Sequence, residues 1–206
     1  MGIFKGSASL SRYQVKGDAP PDFWDFLDRR IRANVFLDIE QSTDESAVGW
    51  VSAHDFLDTN FAYAAYALDP YVVLGMRVDQ RKVSTSLVRK YLRIETKKAL
   101  AARDGRPLSR HDREELKEKV RLDLLRRIPP TTQVYEVCWD TNKAELWLGA
   151  AGRGVRDLLE DLFRRTFDLA LIPRLPYLMA GDILGPGPLA QRLEAARPLN
   201  LYQGEA

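Results

Sequence analysis

Six cationic side chains recur at helical spacing in the middle of this chain: Arg89, Arg93 and Lys97, then Arg113, Lys117 and Arg121, each trio at i, i+4 and i+8. Residues four apart share one face of a helix, so each trio forms a row of positive charge suited to the phosphates of a polyanion. The surroundings strengthen that reading. From Arg77 to Arg127 the sequence holds 17 of its 31 Lys and Arg but only 8 of its 29 Asp and Glu, a local charge of +9. The rest of the chain carries −7, so the total of +2 conceals a separation of charge. Each phosphate neutralised releases condensed counterions, and nucleic-acid binding is the leading expectation. Arg81, Lys82 and Lys90 complete the candidate contacts. Asn and Gln, which read adenine edges bidentately, are absent from both segments. The expected contact is therefore with the phosphate backbone, without strong sequence preference. A plainer reading treats the charges as solvated helix faces, with Glu115 and Lys119 as an i, i+4 pair. It leaves the two-to-one excess of base over acid unaccounted for.

Other chemistry finds less support. His54 and His111 are the only histidines, and neither has Cys, Asp or Glu at a spacing typical of a metal site. Cys138, between Val137 and Trp139, reads as a buried structural thiol. Asp38, Glu40, Asp44 and Glu45 could hold Mg²⁺ in a divalent-metal nuclease, although a mobile acidic loop has the same composition. Gly149, Gly152 and Gly154 precede a helical pattern, but their spacing fits neither GxGxxG nor a P-loop, and they read as a strand-to-helix turn. No catalytic residue, metal or cofactor is expected, and the protein is read as non-enzymatic.

The elements that must position the cations follow from periodicity. Residues 7–15 alternate as a strand ending at Gly17, and an amphipathic helix from Asp22 to about Val35 presents Phe23, Phe26, Leu27 and Ile31 on one side. After the polar loop 41–46 come strands at 47–51, 61–67 and 71–80. Ser84 to Ala102 is a helix, Asp104-Gly105-Arg106-Pro107 breaks it, and Ser109 with Asp112 caps a second helix through a capping box. Two helices so joined pack antiparallel, with Leu87, Val88, Tyr91 and Leu92 against Leu116, Val120 and Leu124, and their two basic rows are expected on a shared outer surface. Strands at 133–139 and 144–150 flank the turn 140–143, a helix spans 155–167, a last strand spans 169–173, and a loosely ordered tail with one short helix starts near Gly181.

The fold class expected is α+β: an antiparallel or mixed sheet packed with helices, plus a projecting basic αα-hairpin. The expected organisation is a central domain over 1–80 and 130–178, a helical-hairpin tip over 81–129 and a tail over 179–206. At 45% hydrophobic and 29% charged the chain is an ordinary globular one. Its apolar runs are too short for a bilayer, its start lacks the pattern of an export signal, and its lone cysteine fits a reducing cytoplasm.

The order of motifs resembles the recombination-associated protein RdgC family, a bacterial nucleoid-associated DNA-binding group. Gly49-Trp50-Val51 is similar to its Gly-Trp-Val-Pro-Pro segment, with Ser52-Ala53 in place of the prolines. The basic helices end in Leu124-Leu125-Arg126-Arg127, and Trp139-Asp140-Thr141-Asn142 leads into a strand, a helix and the Leu-Ile-Pro ending at Pro173. The resemblance spans roughly residues 1–176 and implies a short member lacking the C-terminal base region. It further implies a homodimer closing ring-like or clamp-like around duplex DNA, a role in recombination or replication, and restraint of the RecA recombinase. A different class of function treats the helical hairpin as a protein-interaction arm docking on the acidic body of a second subunit.

Overall fold

The computed structural model describes residues 3, 9–18, 20–104 and 106–196. The amino-terminal end of the first expected strand, Gly105 of the expected turn and the tail beyond 196 lie outside these residues. Seven strands form one antiparallel sheet: β1 (Ser11–Lys16), β2 (Ser46–Val51), β3 (Ala67–Leu68), β4 (Tyr71–Gln80), β5 (Thr131–Asp140), β6 (Glu145–Leu148) and β7 (Ala170–Pro173). Their order is β2-β4-β5-β6-β1-β7, with β3 paired to one end of β4. The long ladder between β4 and β5 runs from Tyr71↔Asp140 to Gln80↔Thr131 and forms the spine.

Helices α1 (Phe23–Ala33) and α4 (Arg153–Phe167) cover one face. Their apolar residues fall three and four apart, so Leu27 and Ile31 of α1 and Leu159, Leu162, Phe163 and Phe167 of α4 point inward together. They meet the alternate residues Val72, Leu74, Met76 and Val78 of β4, with Trp50, Val137, Trp139, Leu146 and Leu148 from neighbouring strands. Trp50 donates its indole N–H to Thr166 Oγ1 at 2.8 Å, and Thr166 returns a bond to the Leu162 carbonyl at 2.7 Å, so β2 is tied to α4 inside the core. Gly49 is required beside it, because a Cβ there would lie 2.4 Å from Phe36 Cα, where the chain after α1 crosses β2. The fold is thus α+β, and the sheet is wholly antiparallel.

Two expectations fail. The apolar stretch 61–67 is not a strand: Phe61 and Ala64 take left-handed backbone angles around a single 3₁₀ turn at Ala62–Ala64, and only Ala67–Leu68 pairs with β4. Phe61 and Tyr66, five residues apart, are both buried and meet edge to face at 5.8 Å, an arrangement that a strand would place on opposite faces. The tail is also more helical than expected, with α5 (Pro176–Leu184) and α6 (Pro188–Glu194), each opened by a proline in its first turn.

Between β4 and β5 the chain leaves the sheet as α2 (Thr85–Ala101) and α3 (Arg110–Arg127). These two pack chiefly on each other. None of their residues belongs to the main core cluster, and α2 buries no residue fully.

Candidate nucleic-acid interface

Each helix begins on a serine whose hydroxyl takes over a backbone N–H left open by the first turn. Ser84 accepts from Leu87 N at 3.3 Å. Ser109 accepts from Asp112 N at 3.1 Å while Asp112 accepts from Ser109 N at 3.1 Å, completing the reciprocal box expected from sequence. Arg103, just past the end of α2, donates to the same carboxylate at 2.7 Å and fastens the turn between the helices. That guanidinium first, and the Ser109 amide next, hold the Asp112 carboxyl at about 2.

Along the seam, Tyr91, Ile94, Glu95 and Lys98 share a cleft with Val120, Asp123, Leu124 and Arg127. Further along, Ala99 and Arg103 share one with Asp112, Glu115, Leu116 and Lys119, so the helices run antiparallel. Lys98 donates to Glu95 at 2.7 Å, and with Lys119 and Arg127 nearby it keeps that carboxyl below its usual range.

The nine cations singled out by sequence separate into three groups. Arg81 is buried: its guanidinium donates to the carbonyls of Ser42 at 2.6 Å and of Ile39 and Glu40 at 2.8 Å, pinning the acidic loop to the end of β4. Arg121 is ion-paired with Glu45, which anchors α3 to the loop before β2. Lys82, Arg89, Lys90, Arg93, Lys97, Arg113 and Lys117 are exposed, and none is ion-paired with a carboxylate among the described residues.

At 100° per residue, Arg89, Arg93 and Lys97 fall on the side of α2 opposite Tyr91 and Lys98, away from α3. Arg113 and Lys117 lie seven residues before Val120 and Leu124, and so border the seam. The two rows therefore wrap round the pair, and the shared outer surface expected for them is not formed, because the α2 row faces away from α3 while the α3 row borders the seam.

Sequence reasoning counted Arg77 with the basic segment, but it too is internal. It forms a two-point pair with Asp79 at 2.8 and 3.0 Å and lies over the Phe36 ring at 4.1 Å. The Asp79 carboxylate raises the Arg77 pKa, so the guanidinium stays charged and is already matched by an internal anion. The signal was available in sequence, because Arg77 and Asp79 occupy one face of a strand whose other face is apolar. Without Arg77, Asp79 and Arg81, the segment from Lys82 to Arg127 still holds 15 basic residues against 7 acidic.

The acidic loop shows no convergence. Asp38 accepts from Glu40 N at 2.6 Å, Asp44 from Ser42 Oγ at 2.8 Å, and Glu45 pairs with Arg121. Among the described residues no group of three His, Cys, Asp or Glu is placed to hold a metal ion. His111 is exposed, with Glu115 3.2 Å away, and Cys138 is buried, which pushes its thiol up. Gly152 caps α4 as the end of a strand-to-helix turn. No helix among the described residues is long and apolar enough to cross a membrane.

Comparison with known proteins gives one finding. The family model described as "Putative exonuclease, RdgC" matches residues 8–177, which takes in both layers of the sheet domain and the whole helix pair. A search of curated proteins gives no match.

Proposed function

Since this chain belongs to the RdgC family, we propose that it is a non-enzymatic, sequence-tolerant DNA-binding protein of recombination, gripping the phosphate backbone with α2 and α3. The observation carrying this reading is the unpaired state of Arg89, Lys90, Arg93, Lys97, Arg113 and Lys117 beside neighbours that do have carboxylate partners. Carboxylates of the same chain take Lys98, Arg103, Arg110 and Arg121, and these six are left open to an external anion. The helix pair projects from the sheet as a hairpin tip, and two copies close on duplex DNA as a clamp-like dimer that limits access of RecA. The separate hydrogen bonds made by Asp38, Asp44 and Glu45 favour this reading over metal-dependent cleavage.

The reading is tested by a gel shift of random-sequence duplex at two salt concentrations, with native mass measured on the same samples. Binding that weakens steeply with salt, no cleavage in Mg²⁺, and a dimeric complex are expected. Duplex cleavage dependent on the metal, or binding indifferent to salt, overturns it.

A second reading has one observation in its favour. Arg121 on Glu45 shows a cation of α3 docked on the acidic body, the contact that an interaction arm would repeat between subunits. A dimer that dissolves with salt and ignores DNA would establish that reading.

A further inference from the structure

On the body of the protein, away from the helix pair, five separate stretches of chain enclose a cleft of about 330 Å³. That lies within the roughly 300–1,000 Å³ of ligand pockets. Its walls are aromatic: Phe23 meets Trp24 and Trp139 edge to face, with ring centres 5.6 and 5.5 Å apart. Its polar lining is Asp69, Thr141 and Asn142.

Trp139 is 5% exposed, and its indole N–H is buried with no hydrogen-bond partner. Trp50, the comparable core indole, has Thr166. That N–H is out of reach of a molecule in the cleft, and Trp139 serves there as a ring wall. Asp69 and Asn142 are exposed and make no side-chain hydrogen bond to another described residue, leaving a carboxylate acceptor and an amide beside it.

The rim is fixed in advance. Thr141 donates both its amide, at 3.0 Å, and its hydroxyl, at 2.8 Å, to the Pro70 carbonyl, joining the β5–β6 turn to the Asp69 turn. Asp140 accepts from Lys143 N at 2.9 Å and tightens the same turn.

We infer that this cleft holds an unpaired, amino-bearing nucleobase of a DNA strand. The chemistry required is a flat π surface for Trp24, an N–H donor for Asp69 and an acceptor for the Asn142 amide. A nucleobase with an exocyclic amine and a ring carbonyl or ring nitrogen combines the three in one plane. Lys143, between Asn142 and Ala144, sets an exposed ammonium group at the rim, 3.6 Å from Asp140. The inference rests on the DNA-binding reading for its source of bases. It adds to that reading a preference for strands with unpaired positions.

The test compares (dC)₁₀ with a random duplex by fluorescence anisotropy, and follows the Trp139 indole resonance by ¹⁵N NMR as neutral deoxycytidine is added. Trp24→Ala is expected to weaken (dC)₁₀ binding by about 5- to 150-fold, the range of one base stack. Duplex binding should stay within about twofold. Trp24 is 40% exposed, so the variant keeps the core, and Asp69→Asn offers a second variant outside the core. Deoxycytidine should move the Trp139 resonance in wild-type protein and not in Asp69→Asn. If strands bind but neither variant matters and the resonance stays put, the pocket proposal fails while the phosphate-grip reading stands. If neither (dC)₁₀ nor duplex binds yet deoxycytidine moves Trp139, the phosphate-grip reading fails and the cleft is a site for a free nucleoside, which overturns the proposal of a strand base. A shift produced by arginine amide and not by the nucleoside assigns the cleft to a cationic side chain and overturns the proposal.

Discussion

Two double variants that remove the same charge should behave differently: Arg93→Gln with Lys117→Gln, against Arg103→Gln with Arg121→Gln. In the first pair both cations are exposed and unpaired, one from each row. In the second, Arg103 is held by Asp112 and Arg121 by Glu45. The logarithm of duplex affinity falls with the logarithm of salt at a slope of about −0.9 per phosphate contacted. With Arg89, Lys90, Arg93, Lys97, Arg113 and Lys117 engaged, the slope reaches about −5, a loss of roughly a thousandfold between 50 and 200 mM salt. Losing Arg93 and Lys117 should flatten the slope by about 1.8, so the loss over the same range shrinks roughly tenfold. Losing Arg103 and Arg121 should flatten it by less than about 0.5, because neither is free to replace a counterion. Anisotropy titrations of a labelled duplex at four salt concentrations measure both, with melting curves to confirm that all variants fold. Equal slopes for the two doubles would mean that net charge governs binding and placement does not. Unchanged slopes in both would remove α2 and α3 from the interface.

Three further outcomes follow from geometry. Asp112 titrates below its usual value in the folded chain, so the stabilisation it gives the interhelix turn is complete above about pH 4 and disappears as pH falls through about 2. A ¹³C carboxyl titration should show that midpoint, and Arg103→Gln should raise it toward the ordinary Asp value; an ordinary midpoint in the unaltered protein contradicts the capping geometry. Gly49→Ala should cost about 3 kcal/mol or more in urea denaturation, since the new methyl meets Phe36 backbone that cannot move aside; a cost under about 1 kcal/mol would show that the crossing is loose. Arg81→Met should destabilise by roughly 3 kcal/mol by leaving the carbonyls of residues 39–44 unsatisfied, yet leave the salt slope of DNA binding unchanged; a slope flattened as much as by Arg93→Gln would return Arg81 to the interface.

Most of the sheet was legible because each strand's own alternation announces it. β4 is the clearest case, with Val72, Leu74, Met76 and Val78 on one face, and α1 and α4 declare themselves by apolar residues three and four apart. The stretch 61–67 misled for the same reason. Its apolar run has the composition of a buried strand, and only tertiary contact shows that Phe61 is turned into the core by a left-handed backbone. Charge was legible as a sum and not as a distribution. Counting placed Arg77 and Arg81 on the surface, whereas Asp79 and the carbonyls of the acidic loop hold them inside. The aromatic cleft was not legible at all, because Gly17, Trp24, Asp69, Trp139 and Leu169 come from separate parts of the chain.

The residues that identify the family and the residues proposed to bind DNA do different jobs. Gly49 and Trp50 are fixed by the crossing of residue 36 and by Thr166, and Asp140 and Thr141 by the turn they close. Each acts within the sheet domain, and none depends on an anion. The free cations have the opposite character: nothing in the fold requires Arg93 or Lys117, since neither is buried or paired. A protein could keep the whole framework and lose those charges without cost to its stability. Kinship therefore argues for the framework, and the grip on DNA has to be argued from the unneutralised helices, where about two bases for every acid remain after the buried arginines are set aside. Long like-charged helix surfaces repel themselves and are tolerated best where an opposite charge relieves them. The acidic loop relieves Arg121, and carboxylates of the helices themselves relieve Lys98, Arg103 and Arg110, while Arg89, Lys90, Arg93, Lys97, Arg113 and Lys117 keep their charge unneutralised, which is the ground on which a phosphate chain is proposed for them.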